Sequence, residues 1–238
     1  MGNRIDGRAP DELRPVTIER GYTKHAAGSV LISFGETRVL CTACIDDRVP
    51  PWMKDSGEGW VTAEYGMLPG STNSRMSRDK NTKGRALEIS RLIGRSLRAV
   101  TDLKGIGQCA ITVDCDVLQA DGGTRTAAIT GGYIALHDAL NSSVEKGFLA
   151  SVPLLKPCAA ISVGMLGELP VLDLNYAEDS TADTDMNVVM TADGDMIEVQ
   201  GSAEGRMFSR AQLNAMVDLA ESGIKQLVAE QRKALGLG

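Results

Sequence analysis

Strand-like segments in this chain come in runs, and helical segments fall between and after the runs instead of alternating with single strands. That order favours a layered α+β domain over a doubly wound parallel sheet. Residues 14–19, 29–34 and 37–45 alternate in polarity or are β-branched, with Gly35-Glu36 as a tight hairpin signal between the last two. A further strand is expected over 60–68. The spacing of Leu87, Leu92, Ile93, Leu97 and Val100 predicts a helix over 84–100. A strand over 108–118 and a second helix over 123–140 follow. Short strands are expected at 159–165, 170–174, 186–190 and 196–200, and a long amphipathic helix over 209–235 with Ser209 as its N-cap. No low-complexity linker or internal repeat interrupts the 238 residues, which read as one domain, 1–238.

Several function classes drop out early. With 43% hydrophobic residues the chain can build a real core, yet no run approaches the roughly 20 apolar residues that span a bilayer. No membrane association is expected. Met1 to Arg8 contain no apolar run of a secretory signal, and five cysteines in mostly apolar surroundings suit reduced core thiols. Both point to a cytoplasmic protein. Cys41 and Cys44 sit three apart in a strand and should face opposite sides, against a metal or redox pair. His25 and His137 are the only histidines, which leaves no zinc set.

The net charge of −6 does not announce a nucleic-acid binder, but its distribution is uneven. From Pro69 to Arg98 there are eight basic residues, including Arg75, Arg78, Lys80, Lys83, Arg85, Arg91, Arg95 and Arg98, against two acidic ones. From Pro157 to Gly205 there is no Lys or Arg, and there are ten Asp or Glu. One segment suits phosphates and the other a cation; two solvated surfaces of opposite sign would look the same. The polar, aperiodic stretch from Pro69 to Gly84 is too long for a simple connection.

Two of the expected helices begin with an arginine, Arg85 after Gly84 and Arg125 within Asp121-Gly122-Gly123-Thr124-Arg125-Thr126. A helix N-terminus carries partial positive charge, so a cation there is disfavoured unless an anion shares the site. Backbone amides, the Thr124 hydroxyl and two guanidinium groups would then surround it, with Gly122 and Gly123 allowing close backbone approach. The competing arrangement has Asp121 capping the helix and both arginines in solvent. In the acidic region, Leu172 to Tyr176 is strand-like, and Asp179 and Asp185 flank a short turn that can bring their carboxylates together. A carboxylate pair beside a phosphate site is what Mg²⁺ prefers. A solvated acidic loop is the alternative.

These blocks carry a resemblance. Asp6-Gly7-Arg8, Gly59 to Tyr65, Glu88 to Val100 with Arg91-Leu92-Ile93-Gly94-Arg95, Asp114-Cys115-Asp116, Gln119 to Ala127 and Leu172 to Asn187 closely resemble bacterial RNase PH, in the right order and over nearly the whole chain. The resemblance implies two βαβα halves akin to the second domain of ribosomal protein S5, and a homohexameric ring built as a trimer of dimers. It implies a tRNA nucleotidyltransferase, a phosphorolytic 3′→5′ exoribonuclease of tRNA precursors and other RNA 3′ ends, with inorganic phosphate as co-substrate and Mg²⁺ as cofactor. It assigns phosphate binding to Arg85, Gly123, Thr124 and Arg125, metal binding or catalysis to Asp179 and Asp185, and RNA contact to Arg75 and Arg78. Gly70 stands where many members carry another arginine. An inactive ring subunit that only threads RNA, or a nuclease using metal-bound water, are the rival readings.

Overall fold

The computed structural model describes residues 4–78 and 84–237. Its first half opens with an antiparallel meander of β1 (Val16–Arg20), β2 (Gly28–Phe34) and β3 (Thr37–Asp46). β4 (Trp60–Met67) leads through helix α1 (Arg85–Ala99) to β5 (Ala110–Gln119), which lies parallel to β4 and antiparallel to β3. The sheet order is β1-β2-β3-β5-β4, and helix α2 (Thr124–Glu145) closes the half. The second half contains β6 (Cys158–Leu166), β7 (Leu169–Leu172), the single turn α3 (Tyr176–Asp179), β8 (Thr184–Thr191), β9 (Met196–Ala203) and α4 (Arg210–Leu235). Its sheet is antiparallel throughout, in the order β7-β6-β8-β9. Each half thus runs strand, helix, strand, helix with extra strands added, and the fold is α+β with two sheets.

Period-two patterning decides which face of the first sheet is covered. Val39, Cys41 and Ala43 of β3 and Ile111, Val113, Cys115 and Val117 of β5 point into the core, while Cys44 points out. Cys41 and Cys44 therefore do not form a pair. α2 is buried nearly all round because it lies between β2 and β3 of one sheet and β6 of the other. Its approach to β2 is close: a Cβ on Gly28 would lie 1.8 Å from the Ala135 carbonyl oxygen. α4 packs on β6 and β7 of the second sheet and touches α2 and β1 of the first half, with Ser209 and Gln212 forming a reciprocal capping box at its start. One apolar cluster runs through both halves, from Val30 and Ile93 to Ile161 and Leu227. Among the described residues no helix is long and apolar enough to cross a membrane.

The strand expected over 170–174 ends early, at Leu172. Asp173 adopts a left-handed backbone (φ 55°), and Asn175 caps α3 by accepting from the Glu178 amide. The sequence from Leu172 to Tyr176 has strand-like residues, but the bonds offered to the Asp173 carboxylate by distant arginines override them. Asp also tolerates this conformation better than most residues.

Candidate active site

The first residue of α2 follows two glycines, both left-handed, at φ 75° (Gly122) and 65° (Gly123). No side chain caps this helix, and its first turn holds no acidic residue. Asp121 does not cap it: its Oδ1 accepts instead from the Tyr176 amide at 3.2 Å. Gly122 serves packing more than ligand approach, because a Cβ there would lie 2.6 Å from the Leu174 carbonyl oxygen. A Cβ on Gly123 would sit 3.0 Å from the Arg14 guanidinium. α1 likewise starts after a positive-φ glycine, Gly84, and among the described residues no side chain caps it. Both helices therefore leave N-terminal amides open at an end that attracts anions.

The side chains at these ends converge. Thr124 Oγ1 lies 2.8 Å from the hydroxyl of Tyr65, a buried residue of β4. Burial raises the Tyr65 pKa, and the hydrogen bond with Thr124 and then the positive charges of Arg85 and Arg125 pull it back. Arg85 itself is exposed. Arg125 is mostly buried, and its Nη1 donates to Gln200 Oε1 at 2.6 Å and to Glu88 Oε1 at 3.3 Å. The solvated-arginine alternative fails for Arg125.

Asp179 ends α3 and Asp185 lies at the start of β8, with a short turn between them. Partial desolvation, and then the like charge of Asp185, push the Asp179 pKa above the ordinary carboxylate value. Arg85 and Arg125 act in the opposite direction, and Glu204 adds to the rise. Asp179 thus feels both helix-start arginines and its partner carboxylate at once. A pair whose charges repel fits a divalent cation, which would relieve the repulsion. Among the described residues no group of three or more His, Cys, Asp or Glu is placed to hold a metal. Two carboxylates completed by phosphate oxygens and water suit Mg²⁺, whereas a structural zinc needs a fuller protein set.

Beneath the site runs a buried ionic network that sequence reasoning missed. Arg4 donates to both oxygens of Glu178, at 2.8 and 2.6 Å, and both side chains are fully buried. Arg8 reaches Glu178 and Asp173, and Arg14 holds Asp173 through its amide, Nε and Nη2. Arg14 also donates to the carbonyls of Asp121 and Gly122. The N-terminal segment therefore braces α3, which carries Asp179, and the glycine turn that starts α2. The only sequence signal was three arginines ahead of the first strand, and nothing local tied them to carboxylates 159 to 174 positions away.

The loop after β4 stands beside the anion end. Leu68 and Ser71 tie its stem to the end of β5 in the first sheet: the Leu68 amide donates to Val117 O and the Ala120 amide to Ser71 O. Arg75 and Arg78 are exposed on it. A side chain at Gly70 would meet open space, so an arginine there would fit. Lys80 and Lys83 lie outside the described residues. On α1, Arg95 pairs with Glu198 at 2.8 Å, and Arg98 stacks 4.3 Å above Trp60 while donating to Val61 O. These two arginines hold structure.

Fold and site together define an α+β protein in which two helix starts bearing arginines lie within electrostatic reach of Asp179 and its neighbour Asp185. The sequence profile of domain 1 of the 3′ exoribonuclease family matches residues 12–141, and that of domain 2 matches residues 156–223. The chain belongs to this RNase PH family. It is similar in structure to rice (Oryza sativa) Rrp46, at 21% identity and a TM-score of 0.78 over 98% of this chain and 100% of that one. It is also similar to a chain of the Archaeoglobus fulgidus exosome solved with RNA bound to the active site, at 20% identity and a TM-score of 0.82, over 96% of this chain and 92% of that one. An archaeal exosome core chain gives 22% identity and 0.76, over 97% and 90%. At such identities the likeness speaks for the fold.

Proposed function

We propose that this protein is a phosphate-dependent 3′→5′ exoribonuclease, catalysing RNA(n+1) + phosphate ⇌ RNA(n) + nucleoside diphosphate. What supports this reading is a pair of uncapped, glycine-started helix ends whose arginines act on Asp179, which also feels the like charge of Asp185. Arg85, Arg125, Thr124 and the first amides of α2 hold inorganic phosphate. One of its oxygens forms a bond to the phosphorus of the terminal phosphodiester. The bond from that phosphorus to the 3′ oxygen of the preceding nucleotide breaks, and this oxygen leaves and takes a proton. Asp179 and Asp185 would hold Mg²⁺, which supplies charge neutralisation at the phosphoryl oxygens. Positioning and electrostatics carry the rate, so no covalent nucleophile is needed. Two arginines at helix starts suit a phosphate nucleophile better than a water. A subunit that only threads RNA would have no use for the carboxylate pair.

The substrates in this reading are tRNA precursors and other RNA 3′ ends, including those trimmed in rRNA processing, in the cytoplasm. Arg75 and Arg78 contact the RNA backbone without reading bases. A homohexamer, built as a trimer of dimers, would gather several such loops around one substrate and so let a net-acidic chain hold RNA. Light scattering should then give a mass near six protomers, and a fully active monomer would contradict that assembly. For the reaction itself, pure protein is incubated with a 3′-extended tRNA and Mg²⁺, with and without phosphate. Trimming should require phosphate and release nucleoside diphosphates. Nucleoside monophosphates as the main product would replace phosphorolysis by hydrolysis.

A further inference from the structure

Arg125 has five N–H donors, and the structure shows how they are divided. Both bonds it makes to neighbouring side chains use one nitrogen, Nη1: one to Gln200 Oε1 at 2.6 Å and one to Glu88 Oε1 at 3.3 Å. These occupy the two hydrogens of Nη1. Among the described residues Nε and Nη2 have no partner, and together they form the planar edge that matches two oxygens of a phosphate. Gln200 Nε2 also reaches Glu88 Oε1 at 3.4 Å, so the two acceptors are themselves joined. Glu88 stands one turn beyond Arg85 on α1, and Gln200 comes from the edge strand β9 of the other half.

We propose that Glu88 and Gln200 are positioning residues. They hold Arg125 by its far nitrogen so that its free edge faces the phosphate, a reading that rests on the phosphate site proposed above. A guanidinium on a flexible stem would otherwise lose rotamer freedom each time it bound its anion. Because Gln200 is exposed on an edge strand, it can be altered without opening the core. Gln200 is uncharged, so its effect on an anion is separable from simple repulsion.

The test is a double-mutant cycle read by calorimetric titration of inorganic phosphate into the full-length protein, which needs no turnover. Gln200→Ala, and Gln200→Met with similar length but no acceptor, should each weaken phosphate binding by about tenfold, as expected for a lost bond to a charged group. In an Arg125→Ala background the same changes should have no further effect, since they act through the missing guanidinium. Glu88→Gln keeps an acceptor and should stay within about threefold of the unaltered protein. RNA affinity measured by gel shift should not move in the Gln200 variants. Unchanged phosphate affinity in both Gln200 variants would overturn the proposal, as would equal losses with and without Arg125. Failure of phosphorolysis itself would show separately, as nucleoside monophosphate release by the unaltered protein.

Discussion

Asp185→Asn should lower phosphate-dependent trimming by roughly 10² or more while leaving the folded protein intact. The substitution keeps size and hydrogen-bonding reach but deletes the charge that a metal–carboxylate contact requires. It also removes the like charge that helps raise the Asp179 pKa. A carboxyl whose folded-state pKa is raised costs stability above that pKa, and the cost fades as pH falls through it. Neutralising Asp185 lowers the Asp179 pKa toward its ordinary value and relieves that cost at neutral pH. The melting temperature should therefore hold or rise in metal-free buffer even as activity collapses. RNA affinity should survive as well, because it comes from arginines and lysines elsewhere, and weaker repulsion of the backbone favours it. Thermal melting, gel shift and trimming are compared side by side for the unaltered protein and the variant. Near-normal trimming would make Asp185 a solvated strand residue without a catalytic part, and a lower melting temperature alongside lost activity would make it a structural one.

Glu178→Gln should be the most destabilising of the substitutions considered. The carboxylate sits fully buried against Arg4, with Arg8 at 3.4 Å, and closes the capping box of α3. Removing one partner of a buried pair leaves the other charge without compensation, a cost of roughly 3–5 kcal/mol. For a chain of this size that corresponds to a fall in melting temperature of roughly 6–20 °C. Glu178 also precedes Asp179, so residual activity should drop even below the unfolding transition. Adding Arg4→Met removes the orphaned charge and should recover part of the lost stability, which a double-mutant cycle reads directly. Little change in the single variant would mean that water reaches Arg4 readily and that the network does not brace the site.

The sequence alone determined the local pattern of this protein. Alternating residues marked the strands of the first sheet, helical spacing marked α1, α2 and α4, and Ser209 announced its own cap. Arg85 and Arg125 could be proposed as anion ligands from the sequence because a cation at a helix start is disfavoured there, and what the structure adds is that Arg125 is held by Gln200 and Glu88 while Arg85 stays exposed. Asp179 and Asp185 were legible because they lie six positions apart around a turn. The rest depended on which distant segments meet. Asp121 binds the Tyr176 amide instead of capping its own helix, and Gly122 packs on the 174–176 backbone. Asp173 bends the chain away from a strand because Arg14, 159 residues earlier, offers its carboxylate three donors. Gln200 reaches Arg125 only once β9 is laid against α1. Propensity and period act over a few neighbouring residues, whereas the energy of a buried charge depends on the partners and the water around it, and those exist only after the two halves have packed together.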